Sequence, residues 1–140
     1  MVAPPQGPHE AVPQQTNGPM RAVTLLSSFR YAFEGIAYLF RTQRNAQIHG
    51  SVSIIIVLFG VVFQISQAEW LAIVLAIMIV ICAEGANTAI EAVVDLASPS
   101  YHPLAKIAKD VAAGTVLLAA IGAVVVGVII FLPRLLNLLW

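Results

Sequence analysis

The chain has 140 residues, 59% of them hydrophobic and 10% charged, with a formal net charge of zero. Such a balance lies far from that of a soluble domain, and because the apolar residues come in long runs, the leading class is an integral membrane protein. Zero net charge gives no field to attract a polyanion, so nucleic acid is not an expected partner, and the single Cys82 can form neither an intrachain disulfide nor a cysteine metal cluster.

Residues 1–20, "MVAPPQGPHEAVPQQTNGPM", are rich in Pro, Gln and Gly and have no apolar core of a signal peptide. They are expected to form a disordered tail, with His9 and Glu10 solvated in it. From 21 to 44 the pattern turns helical. Leu25, Phe29, Phe33, Ile36 and Phe40 form one apolar stripe, while Arg30, Glu34, Arg41 and Arg44 occupy another face. An aromatic stripe backed by arginines suits a helix lying on the membrane surface.

Three apolar segments follow, so a membrane domain over 21–140 is expected: the surface helix and spans near 46–65, 70–96 and 111–132. The first apolar run, 51–65, is short against the roughly 20 residues a span needs, and starting the helix near Asn45 or His49 supplies the missing length. His49 is read there as an interfacial packing residue. The third span carries no charge and is expected to close at Pro133 and Arg134. Its Gly114, Gly122 and Gly127 are expected to permit close helix approach. The connections are read as "SQAE" (66–69) and "ASPSYHPLAKIAKD" (97–110), where Pro99 and Pro103 interrupt any helix. Cys82 is expected to be a small packing residue. The fold class is therefore all-α integral membrane, an amphipathic surface helix plus three transmembrane helices.

Six of the seven cationic residues (Arg21, Arg30, Arg41, Arg44, Lys106 and Lys109) fall on one side of these spans and only Arg134 on the other. The excess places the N-terminus and the 97–110 loop in the cytoplasm. Trp70 and Trp140 then mark the outer interface.

The second span contains a polar set that its hydrophobic context does not explain. Glu84, Asn87, Thr88, Glu91 and Asp95 are spaced by three, one, three and four, which puts them on one side of a helix. Glu84 and Glu91 lie about 10 Å apart along the axis on nearly the same line. Ionisable groups in a span cost at least a few kcal/mol and face a bundle interior or a wet cavity. A polar helix–helix seam is one reading, but a seam needs one or two such groups rather than five. A proton or cation pathway is another. The "LAKIAKD" stretch then brings Lys106, Lys109 and Asp110 to the depth of Glu91 and Asp95. Lysines beside carboxylates at a membrane surface suit a polyphosphate held through a divalent metal. No P-loop or kinase glycine-rich loop is present, so a nucleotide site must be of an unrelated kind.

The stretches "SSFRYAFEGIAYLFRTQRNAQIH", "EGANTAIEAVVDL" and "YHPLAKIAKDVAAGTVLLAAIGA" resemble the small bacterial integral-membrane lipid kinases. These are the prokaryotic diacylglycerol kinases and their undecaprenol kinase relatives, and the likeness covers about 27–132. "SFRYAFEG" and "YHPLAKIAKD" resemble the undecaprenol kinase type more. The resemblance implies a homotrimer in the bacterial cytoplasmic (inner) membrane, with active sites between subunits near the cytoplasmic face. It implies ATP and Mg2+, and a membrane lipid alcohol as acceptor, undecaprenol ahead of diacylglycerol. Glu84 matches the family's general base, where the acceptor also binds. Asn87 is the polar residue beside it, and Glu91 a metal-binding glutamate. Tyr31, His102, Lys109 and Asp110 match nucleotide-contacting positions, and Asp95 lies in the same acidic stripe. The family pattern reads T-E-R-N before the first span, its glutamate a second metal ligand. Here Gln43 stands in that place, offering a carbonyl oxygen without charge. Two other classes compete: a small proton or cation carrier working through Glu84, Glu91 and Asp95, and a non-catalytic member of the family, suggested by Gln43.

Overall fold

The protein is described by a computed structural model covering residues 25–139. The tail expected at 1–20, Arg21 and Trp140 lie outside the described residues. The described residues form four helices: α1 (Leu25–Thr42), α2 (Arg44–Val62), α3 (Gln67–Ala97) and α4 (Pro103–Leu139). The last three are long and apolar enough to cross a membrane. This is the expected architecture of one amphipathic helix and three spans, although several boundaries differ.

Only Gln43 separates α1 from α2, its backbone extended at φ −99° and ψ 110°. The turn leaves carbonyls at the end of α1 without helical partners. Gln47 satisfies one of them, its Nε2 donating to the Phe40 carbonyl at 3.0 Å. Gly50 admits the Phe40 ring, since a Cβ there would sit 2.9 Å from Cε1. The surface helix is thus pinned to the start of the first span by a side-chain cap and a ring over a glycine.

At the far end of α2 the chain reverses through a Schellman motif. Ile65 N–H donates to the Gly60 carbonyl and Gln64 N–H to that of Val61, both at 3.2 Å. Gln64 takes the left-handed conformation this requires, φ 48°. Ser66 then caps α3 in a capping box with Glu69: Ser66 N–H donates to Glu69 Oε2 at 2.8 Å, and Glu69 N–H donates to Ser66 Oγ at 3.4 Å. The "SQAE" expected as a connection is therefore the first turn of a helix, and its S-x-x-E spacing is the signature of that start.

The second connection is also shorter than expected, confined to 98–102. Pro103 occupies the first position of α4, where a missing N–H and a fixed φ are no handicap. "LAKIAKD" is accordingly helical, with Lys106 and Asp110 paired four residues apart. At its other end α4 runs through Pro133 instead of closing there. Arg134 holds the final turns, with Nη1 donating to the Ile130 carbonyl at 2.6 Å and Nη2 to Glu69 Oε2 at 2.8 Å. One cross-helix ion pair thereby ties the last turns of α4 to the capped start of α3.

The apolar core sits at that same end, where Ile65, Ile73, Ile130 and Phe131 are buried and Phe63 and Trp70 pack on them. Phe59, Phe63 and Phe131 meet pairwise at ring-centroid distances of 6.1 Å. Trp70 lies over Gly60, whose substitution by any larger residue would put a Cβ 2.7 Å from Trp70 Cη2. The close-approach glycines are Gly50 and Gly60; at Gly114, Gly122 and Gly127 a Cβ would meet nothing within 4 Å among the described residues. Gly60→Ala is expected to destabilise the protein by about 1–3 kcal/mol through overpacking, read as a lowered thermal midpoint in detergent, whereas Gly122→Ala should leave that midpoint nearly unchanged. Cys82 is exposed on the outside of α3 rather than packed. Many large apolar side chains of α2, α3 and α4 also face outward, as spans bathed in lipid require.

Candidate active site

At the end of the bundle opposite this core, the polar stripe of α3 grades from buried to exposed. Glu84 retains 2% exposure and Asn87 9%, Glu91 is half-buried, and Asp95 is exposed. Burying Glu84 and Asn87 follows from the antiparallel packing of α3, which turns that face toward α1 and α2. Asn87 Nδ2 donates to Glu91 Oε1 at 2.9 Å, linking two of the expected site residues along one helical turn. Thr88 Oγ1 donates to the Glu84 carbonyl at 2.9 Å, an ordinary backbone contact.

Two acceptor oxygens in this set have no hydrogen-bond donor among the described residues: Glu84 Oε1 and Asn87 Oδ1. Buried polar atoms are nearly always satisfied, so a pair of orphans one turn apart marks a place prepared for an incoming donor or cation. Glu84 does have a neighbour that the sequence reading assigned to packing. His49 Nε2, from the first turns of α2, lies 3.3 Å from Glu84 Oε1. A histidine as the sixth residue of α2, between the start of that helix and its apolar run, was the available signal.

Among the described residues, His49 and Ser53 are also the only polar side chains lining an apolar cleft of about 520 Å³ between α2, α3 and α4. The cleft runs from His49 toward Phe59 and Phe131 at the aromatic end. A hydrocarbon chain would find a continuous apolar wall there, with its polar terminus beside His49.

The connection between α3 and α4 encloses a second, polar depression of about 440 Å³, lined by Asp95, His102, Lys106, Lys109 and Asp110 among others. Lys109 Nζ reaches across from α4 to Asp95 Oδ1 at 2.5 Å, and Lys106 pairs with Asp110. His102 accepts the Leu104 N–H on Nδ1 at 3.2 Å, so it caps α4 and has its ring fixed. Three of the expected nucleotide-contacting residues, His102, Lys109 and Asp110, thus share one depression with Asp95. Tyr31 and Gln43 stand apart. Tyr31 is exposed on α1, and Gln43 Nε2 donates to Thr42 Oγ1 at 3.2 Å. Among the described residues, neither has a hydrogen bond or ion pair with Glu84, Asn87, Glu91 or Lys109.

Among the described residues no three His, Cys, Asp or Glu side chains gather in a metal-binding group. The donors at hand are nevertheless of the right kind for a hard divalent cation: the Glu91 carboxylate and, one turn away, the orphaned Asn87 Oδ1. A cation held there would draw its remaining ligands from phosphate oxygens and water, as magnesium sites commonly do.

Three spans, a buried carboxylate beside a histidine of the apolar cleft wall and a lysine-lined polar depression at the same end suit a membrane enzyme of the phosphoryl-transfer class. The chain belongs to the prokaryotic diacylglycerol kinase family, whose model matches residues 30–131. It is 44% identical over 140 residues to the diacylglycerol kinase of Synechocystis sp., covering 99% of this chain and 80% of that protein. It is 43% identical over 108 residues to the undecaprenol kinase of Bacillus subtilis, covering 77% of this chain and 88% of that protein. Identity to the diacylglycerol kinase of Escherichia coli K12 is 27% over 101 residues, 72% of this chain and 83% of that protein. The protein is a lipid kinase of a bacterial membrane.

Proposed function

We propose that this lipid kinase uses Mg2+ and phosphorylates undecaprenol at its terminal hydroxyl, working as a homotrimer with its active sites toward the cytoplasm. The reading rests chiefly on one observation: buried Glu84 lies 3.3 Å from His49, which lines the apolar cleft, and on the helix that also carries Asn87 and Glu91. Orientation is supported by the cationic residues, since Arg41, Arg44, Lys106 and Lys109 all belong to the helix ends nearest Glu84. The trimer is supported by the outward apolar faces of α2–α4, which lipid or further copies of the chain could cover.

The acceptor hydroxyl enters from the bilayer and gives its proton to Glu84 as its oxygen attacks the γ-phosphorus of ATP. The bond to the β-phosphate oxygen breaks, and ADP leaves toward water. Asn87 holds Glu91 in place and presents Oδ1 toward the same face. Glu91, with Gln43 as a second candidate ligand, would hold the metal, which when bound neutralises charge on the phosphate oxygens. Lys109 and Asp110 leave their pairings with Asp95 and Lys106 to meet the polyphosphate and its surroundings, while His102 and Tyr31 contact the nucleotide. So little covalent chemistry is asked of the protein that positioning and charge neutralisation suffice.

Diacylglycerol as acceptor is the second reading, favoured by the relative from Synechocystis, which matches nearly the whole chain. Incubating the purified protein in bilayers with labelled ATP, graded magnesium and each lipid in turn decides between them. Faster labelling of undecaprenol is expected, and a clear preference for diacylglycerol reverses the choice. In the same assay Glu91→Gln should raise the magnesium concentration for half-maximal rate about tenfold or more, because a charged ligand is replaced by a neutral one. Gln43→Glu should lower it. An unchanged requirement in both variants removes these residues from the metal site.

A further inference from the structure

We infer that His49 is a positioning residue for Glu84: from the wall of the apolar cleft, its Nε2–H holds the carboxylate behind it. The inference rests on the lipid-kinase reading in which Glu84 accepts the acceptor's proton. It adds a cross-helix partner that the sequence pattern assigned to packing.

Four observations carry it. Glu84 is 2% exposed inside a span, where a carboxylate requires a donor or a cation. The polar neighbours on its own helix are committed elsewhere, Asn87 Nδ2 to Glu91 and the Thr88 hydroxyl to a carbonyl. Among the described residues His49 is the only basic side chain within ion-pair distance of that carboxylate, at 3.3 Å. His49 is finally part of the cleft wall, so one imidazole touches both the carboxylate and the space an acceptor would fill.

The contact is close without being a completed hydrogen bond, since among the described residues Glu84 Oε1 lacks a donor in bonding geometry. Catalytic hydrogen bonds are often loose before substrate arrives and tighten in the loaded complex. A small rotation of the ring closes this one. The backbone under His49 is steady meanwhile, because Ser53 Oγ donates to its carbonyl at 2.7 Å. With one carboxylate oxygen held by Nε2–H, the other is left to face an incoming hydroxyl. Without His49 the carboxylate can turn into other rotamers or draw in water, and the proton acceptor is then misplaced in the step that breaks the O–H bond.

The test compares native protein, His49→Ala and His49→Gln in bilayers at saturating acceptor, measuring kcat and the KM for ATP. Elution volume and thermal midpoint in detergent are recorded for each. His49→Ala should lower kcat about tenfold or more while the KM for ATP stays within about twofold. His49→Gln keeps an N–H donor of similar reach and should recover kcat to within about threefold of native. Retention of native kcat by His49→Ala overturns the inference. So does a loss shared equally by the alanine and glutamine variants when both elute and melt like native protein, and so does a raised KM for ATP with kcat unchanged. If the native protein phosphorylates no lipid, the lipid-kinase reading fails and the inference with it. That result differs from native activity that is indifferent to His49.

Discussion

Glu84→Gln is expected to reduce kcat by about 10²–10⁴-fold, the contribution of a positioned general base, which corresponds to about 3–5.5 kcal/mol of barrier. The substitution keeps the shape of the side chain and removes only its ability to take a proton. Glutamine still offers a carbonyl to His49 Nε2, so the cross-helix contact survives. Stability should move the other way. A carboxylate at 2% exposure in a span is expensive to keep charged, and a neutral amide relieves that cost. The thermal midpoint should therefore be unchanged or raised while turnover collapses, and ATP should still bind, as measured by its KM or by equilibrium binding. A structural glutamate would give the opposite pattern, with the midpoint lowered and turnover largely kept. Turnover within about tenfold of native removes Glu84 as the base.

The polar stripe that underlies this expectation was legible because helical period and hydrophobicity disagree in one place only. Within residues 81–95 every polar residue falls on one side of a helix, and the burial gradient from Glu84 to Asp95 follows that periodicity. The spans were legible for the same reason. Boundaries were less so, because they depend on local chemistry that apolar runs conceal. Ser66 and Glu69 look like a polar connection until their spacing is read as a capping box, and "LAKIAKD" looks like loop until Pro103 is read as a first helical residue. Pro133 suggests a stop, but near a helix end only one backbone bond is lost, and Arg134 anchors the turn to Glu69. The pairing of His49 with Glu84 joins residues 35 positions apart in sequence on two antiparallel helices. No one-dimensional pattern encodes that register. It follows from where the Schellman turn and the capping box place α3 against α2.

Register of this kind also determines what Lys109 can do. Its ammonium lies 2.5 Å from Asp95 Oδ1, with the two side chains 38% and 65% exposed. An ion pair this open contributes at most about 1 kcal/mol, so breaking it should barely alter stability. Lys109→Met is nevertheless expected to lower kcat/KM for ATP by about 10²–10³-fold, the scale of losing one charge-stabilising group around a transferring phosphoryl. The partner variant separates the two possible roles of this lysine. If Lys109 serves only to pair with Asp95, then Asp95→Asn and Lys109→Met remove the same interaction and must have matching effects. If Lys109 meets the polyphosphate, Asp95→Asn instead frees the ammonium from a competing carboxylate, and the KM for ATP should fall. Kinetics of the two variants in bilayers at fixed magnesium give the answer by sign alone: opposite shifts assign Lys109 to the nucleotide, and parallel losses assign it to holding α4 against α3.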